Sequence, residues 1–245
     1  MSTVHLILQG KGGCGKSLAA VFLAQYLREK GLVVTCFDSD PLNQTLAGFT
    51  ALEVKKVDFL EQTEKGRRIN PRRFDDLIEE IAKQPDGSHV IIDTGSSSFV
   101  PLVHYLVAHD VFSVLSKLGH EVVVHTIVTG GQALLDTLHG VVQLVKQLEG
   151  VRFVVWLNPF WGPVSEDGKG LEQMKVYQDI KKRIEAVVVL PAYSDELLPQ
   201  DVGAMLKKRL TFKQAVESPD FTLMSRHRLS VAQKDVYARL DGLPV

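Results

Sequence analysis

Short apolar runs rich in Val, Ile, Leu and Phe recur at residues 4–8, 32–37, 90–92, 122–128, 153–157 and 187–190. They are continuous rather than alternating, the pattern of strands buried on both faces. Between them, apolar positions repeat at helical spacing over 18–29, 71–83, 100–109, 111–118, 132–148 and 171–184. The alternation predicts an α/β fold, a mainly parallel sheet with helices on both faces. Gly31, Gly119 and Gly150 stand where helices should stop, and Asp110 where one should start. No repeat, low-complexity tract or linker breaks the alternation, so residues 1–245 read as one domain.

Ligands of such sheets bind beyond the carboxyl ends of the strands, and polar residues collect there in this chain. The first strand runs into Gly10, Lys11, Gly12, Gly13, Cys14, Gly15, Lys16, Ser17 and Leu18, which satisfy G-x-x-x-x-G-K-[ST]. Glycine lets the backbone turn with positive φ and come close to phosphates. Lys16 would reach the β and γ oxygens, and Ser17 would ligate Mg²⁺. The helix opening at Leu18 would turn free amides and its positive dipole end toward the same anion. A bare strand-to-helix turn would explain the glycines but not Lys16 and Ser17. Lys11 is a second lysine that an ordinary phosphate loop does not need.

Asp93 ends the third strand in His89-Val90-Ile91-Ile92-Asp93, the form of a Walker B carboxylate in the Mg²⁺ shell. Thr94 and Gly95 are then placed to respond to the γ-phosphate. Asp38 and Asp40 lie one residue apart and face the same way if the strand continues. One carboxylate at the metal side, Asp38, and one orienting the attacking water, Asp40, meet the needs of phosphoryl transfer. The competing reading is that Asp38-Ser39-Asp40-Pro41 caps a loop. Thr129-Gly130-Gly131-Gln132, after the fourth strand, offers an acceptor pocket if the chain were a small-molecule kinase or ligase.

A formal net charge of -1, with 45% hydrophobic and 23% charged residues, predicts no wholesale attraction to nucleic acid or membrane. No apolar run nears the ~20 residues of a membrane span. Met1-Ser2-Thr3 leads straight into a strand, so a cytoplasmic address is expected. The two cysteines, Cys14 and Cys36, lack metal-ligand spacing and read as small residues near the nucleotide site. Two lysines beside Cys14 favour a thiolate, which leaves a redox-sensitive loop as the alternative.

With these residues in place, the chain resembles the ParA/MinD group of ATPases, whose deviant Walker A motif K-G-G-x-G-K-[ST] matches residues 11–17 at every specified position. The D-x-D-P segment fits as well. The resemblance implies ATP and Mg²⁺ as cofactors and a homodimer sandwiching ATP, with Lys11 crossing to the partner's nucleotide. An interface cation of that kind stabilises charge on the transferred phosphoryl group as an arginine finger does. It further implies that Asp38 and Asp40 form switch I, that residues 93–95 form switch II, and that Asn158 reads the adenine edge with Pro191 on the pocket's other side. Asn158-Pro159 is also a common turn start. Within the group, residues 8–13, 128–134 and 173–177 resemble TraL-type proteins of conjugative plasmids. A partner in a conjugation or partition apparatus follows from that likeness. An adaptor that binds nucleotide with negligible hydrolysis is the alternative, weighed against Lys11, Asp40 and Asp93 occurring together.

The iron protein of nitrogenase and zinc-bridged targeting ATPases, also in this group, need cysteines that the chain lacks. Leu229, Ala232, Val236, Tyr237 and Leu240 recur at helical spacing near the C-terminus. Packing on the sheet is the common fate of such a stripe, and it has no bulky Trp/Phe face for a membrane. Basic clusters at 181–183, 207–209 and 226–228 allow non-specific DNA contact, but short basic runs are usually solvated helix faces. His125, in a Val-rich strand, reads as a buried, hydrogen-bonded core residue, as Trp156 reads as core. Trp161 is a candidate to stack on a base or meet a partner.

Overall fold

The computed structural model describes residues 1–64, 66–193 and 196–243. β1 (Ser2–Ile7) leads through the glycine-rich loop into α1 (Lys16–Glu29), followed by β2 (Val34–Asp38). A short strand β3 (Lys55–Lys56), a hairpin of β4 (Leu60–Thr63) and β5 (Gly66–Ile69), and α2 (Arg72–Ala82) precede β6 (His89–Asp93). The chain continues through α3 (Phe99–Ala108), α4 (Val111–Lys117), β7 (His120–Thr129), α5 (Leu134–Gln147) and β8 (Arg152–Asn158). A second hairpin, β9 (Ser165–Glu166) with β10 (Lys169–Gly170), and a single turn α6 (Lys175–Gln178) lead to β11 (Ile184–Val189). Three helices close it: α7 (Leu197–Lys207), α8 (Phe212–Glu217) and α9 (Leu223–Leu240).

Seven strands form one parallel sheet in the order β11-β8-β7-β1-β6-β2-β3. The six apolar runs all lie in it, and the α/β reading holds. Alternate residues of β1 feed two cores. Val4 and Leu6 pack with Leu77, Leu102, Leu115 and Leu144 of α2 to α5. Ile7 packs with Leu23, Met205, Ala215 and Leu229 of α1 and the C-terminal helices. Register then levels the functional ends, because Ile7 pairs with Asp93 and Asp93 with Asp38.

The helix expected over 171–184 does not form. The 3₁₀ turns Leu171–Gln173 and Lys181–Arg183 flank α6, and Ile184 already opens β11. Leu171, Met174, Tyr177 and Ile180 are all buried. Their spacing is three, and a strict three-residue repeat stays on one face only at 3₁₀ pitch; on an α-helix it would drift off that face. The β9–β10 hairpin, also absent from the sequence reading, had a local signal in Asp167-Gly168. Both residues take positive φ, 48° and 75°, as a two-residue hairpin turn requires.

Candidate functional site

The glycine-rich loop leaves the central strand and ends on α1, whose N-cap is Gly15. Among the described residues, no backbone carbonyl accepts from the amides of Gly12, Gly13, Gly15, Ser17 and Leu18, so the loop and first helical turn carry free donors. Lys16 is buried and its Nζ donates to the Lys11 carbonyl at 3.0 Å. The Lys11 side chain pairs instead with Asp136 at the start of α5, at 2.7 Å. Cys14 is buried, its thiol donates to the Lys11 carbonyl at 3.3 Å, and burial raises its pKa against the pull of Lys16. Burial pushes Cys36 up to about 12. Neither thiol has the exposed, thiolate-favouring setting of a redox sensor.

Asp93 is fully buried, and among the described residues neither of its oxygens has a hydrogen-bond partner. Burial, reinforced by Asp38 and Asp40, pushes its carboxyl up to about 7, while the Ser17 hydroxyl and Lys16 oppose the shift. Ser17 thus stands close enough to favour the charged form without completing a bond to it. A buried carboxylate left unpaired is costly, and a cation offsets that cost. Hydroxyl and carboxylate oxygens are the donors Mg²⁺ takes. Ser17 and Asp93 therefore fit the metal expected of them.

Asp38 is buried with one oxygen accepting from the Asp40 amide at 3.1 Å and the other from the Ala47 amide at 2.9 Å. Burial raises its pKa against these amides. The Oδ1 of Asp40 accepts from the amides of Leu42 and Asn43 at 2.9 and 3.0 Å. Both carboxylates thus cap their own loop. Asp40 also abuts Gly95, where a Cβ would lie 2.8 Å from its Cγ. Ser39 donates through amide and hydroxyl to the Asp93 carbonyl, each at 2.9 Å. The two expected switch segments are one packed unit.

Asn158 and Pro191, expected around the base, line a single cavity of about 360 Å³ with Leu18, Phe22, Phe160 and Leu206. A mostly apolar lining with few polar groups is what a planar base needs. Asn158 is buried; its Nδ2 donates to the Cys14 carbonyl at 2.9 Å and its Oδ1 accepts from the Phe160 amide at 3.2 Å. Within residues 129–132, the 162–163 backbone fills the space beside Gly130.

The basic clusters are partly built into the fold: Arg183 donates to the Leu148 carbonyl, Lys208 pairs with Asp220, and Arg228 with Asp201. The C-terminal stripe buries Leu229, Ala232, Val236 and Leu240 in the core on the α1 side. No single helix among the described residues is long and apolar enough to cross a membrane. Two participants escaped the sequence reading. Asp136 had no motif, and Gln9, which donates to the Ile127 and Thr137 carbonyls at 2.8 and 3.0 Å, lies just before the first glycine.

Residues 5–207 match the model of the CobQ/CobB/MinD/ParA nucleotide binding domain. The chain is 46% identical over 246 residues to a protein TraL of Escherichia coli, covering all of both chains, and 45% identical to another. Among solved structures it is similar to the MinC:MinD cell division protein complex of Aquifex aeolicus, with a TM-score of 0.54 and 14% identity over 99% of this chain and 97% of that one. At that identity the likeness shows the fold. The matched residues run from β1 into α7 and take in the glycine-rich loop, Asp38, Asp40, Asp93 and Asn158, so this chain belongs to the CobQ/CobB/MinD/ParA family of P-loop nucleotide-binding proteins.

Proposed function

We propose that this chain binds Mg²⁺·ATP and hydrolyses it as a homodimer, and that the switch acts on a protein partner in plasmid conjugal transfer or maintenance. The buried, unpartnered Asp93 carboxylate beside Ser17 and Lys16 carries the reading. Ser17 and Asp93 would hold Mg²⁺, which neutralises charge on the phosphate oxygens. The free amides of the loop and Lys16 bind the phosphates. Asp38 fixes the switch I turn on the metal side, leaving Asp40 to orient the attacking water. Lys11 acts in trans, leaving Asp136 to reach the partner's phosphates. The full-length likeness to TraL supports the conjugal setting.

Turnover measured against protein concentration tests this. Specific activity should rise with concentration as dimers form. Lys16→Ala should lose ATP binding, Lys11→Ala should bind but not turn over, and Asp40→Ala should accumulate ATP-bound dimer. Activity per chain that stays constant on dilution, together with normal turnover by Lys11→Ala, overturns the dimer reading. Tight binding without turnover, even with the partner present, would make the chain a nucleotide-binding adaptor.

A further inference from the structure

In a planar trans peptide the C=O of one residue and the N–H of the next point in opposite directions. Whatever holds the carbonyls on one side of a loop therefore turns its amides to the other. Three carbonyls of the glycine-rich loop are held. That of Lys11 accepts from Lys16 Nζ at 3.0 Å and from the Cys14 thiol at 3.3 Å. That of Gly13 faces the Trp161 indole N–H at 3.5 Å, and that of Cys14 accepts from Asn158 Nδ2 at 2.9 Å. The amides of Gly12 and Gly15 are accordingly directed away from the contacts of the carbonyls they adjoin, and amides so turned contribute to an anion nest.

Two of the three contacts come from the turn that ends β8. Asn158 is the firm one. Its side chain is buried and held by the Phe160 amide, while its own carbonyl accepts from the Thr129 hydroxyl at 3.0 Å. Gly15 takes φ 105°, and a Cβ there would lie 2.6 Å from Asn158 Nδ2, so the loop admits the carboxamide only because residue 15 is glycine. The turn is braced from behind by Gly130 and Gly131. A Cβ at either would run into the backbone of residues 161–163, at 2.0 Å from the Gly162 carbonyl oxygen and 2.6 Å from that of Trp161. The pair of glycines after β7 is the seat on which this clamp rests.

We propose that Asn158 is a positioning residue for the phosphate site, holding the glycine-rich loop so that its amides face a polyphosphate whatever base that ligand carries. The proposal rests on the nucleotide-binding reading and separates a role on the phosphates from the expected contact with the adenine edge. A residue that only read the base would affect ligands that have one.

The discriminating probe is inorganic tripolyphosphate with Mg²⁺, compared with Mg²⁺·ATP by calorimetry on the full chain. Asn158→Ala should weaken both ligands by the same factor, about tenfold, the size of one buried hydrogen bond. The Gly15 amide resonance should shift in the variant without ligand, which a general loss of stability that lowers only the unfolding midpoint would not produce. Should Asn158→Ala not fold, Asn158→Ser removes the Nδ2 donor and adds no charge, and the same two affinities are read on it. Loss of ATP affinity with tripolyphosphate binding unchanged overturns the proposal and returns Asn158 to the base alone. Wild-type protein that binds neither ligand would instead sink the nucleotide reading.

Discussion

At Gly95 one absent methyl group sets how closely the two switch segments stand. A Cβ there would lie 2.8 Å from Asp40 Cγ and 3.1 Å from its Cα, so side chain and backbone would both have to give way. Asp40 is in turn tied to the amides of Leu42 and Asn43 and cannot retreat without opening that turn. Gly95→Ala should therefore leave ATP affinity near wild type while lowering turnover on the order of a hundredfold, the cost of a misplaced catalytic group. Unchanged turnover in a steady-state assay would detach Asp40 from the reaction. At this scale the site was legible wherever chemistry dictates residue types along one contiguous segment, as in residues 10–18 and at Asp93. It was not legible where the fold alone makes the contact. Asp136 meets Lys11 across 125 residues and Trp161 meets Gly13 across 148, and neither spacing leaves a trace in a motif.

Four strands are stitched together by a line of side chains through the sheet. Trp156 of β8 donates to His125 Nδ1 at 2.9 Å, His125 Nε2 faces His5 Nδ1 at 2.9 Å, and His5 Nε2 faces His89 Nδ1 at 3.0 Å. Indole is only a donor, so each ring accepts on one nitrogen and donates from the other, and the line has one direction, from β8 through β7 and β1 to β6. The rings must stay neutral. Burial, with Arg152 adding to it, pushes His125 down to about 3, and burial with the charges of His125, His89 and Arg152 lowers His5. Unfolded, both would titrate near ~6.5. Above that pH neither state binds the proton and stability is full; as pH falls from there toward about 3, the unfolded chain takes up protons that the fold refuses. Stability should then fall by about 1.4 kcal/mol per pH unit for each such histidine. Urea unfolding between pH 7.5 and 5 reads the slope, and a flat profile would refute the account. His125 was readable as core from its Val-rich surroundings, and the strands from their apolar runs. The 171–184 segment misled because its apolar period of three approximates a helical one over a single turn and parts from it over three.

Across the whole molecule, the question is which chain supplies Lys11. It is 44% exposed at its side chain and paired with Asp136, which is 62% exposed, and an ion pair so open to solvent holds it weakly. Within one chain it is thus a cation available to a neighbouring surface, whereas Lys16 is buried beside the loop. If Lys11 acts across a two-fold interface, each site combines Asp40 of one protomer with Lys11 of the other. Lys11→Ala and Asp40→Ala homodimers should each be inactive, since every site lacks one group. In a mixed dimer the defects fall on the same site: the Lys11→Ala protomer keeps its own Asp40 and receives Lys11 from its partner. The other site lacks both. With random pairing of equal amounts, half the dimers are mixed and each has one complete site, so about a quarter of wild-type turnover should return on mixing. Action within one chain gives no complete site in any dimer, and the mixture would stay as inactive as its components. Native mass spectrometry of the mixture, confirming that mixed dimers form, makes either result decisive.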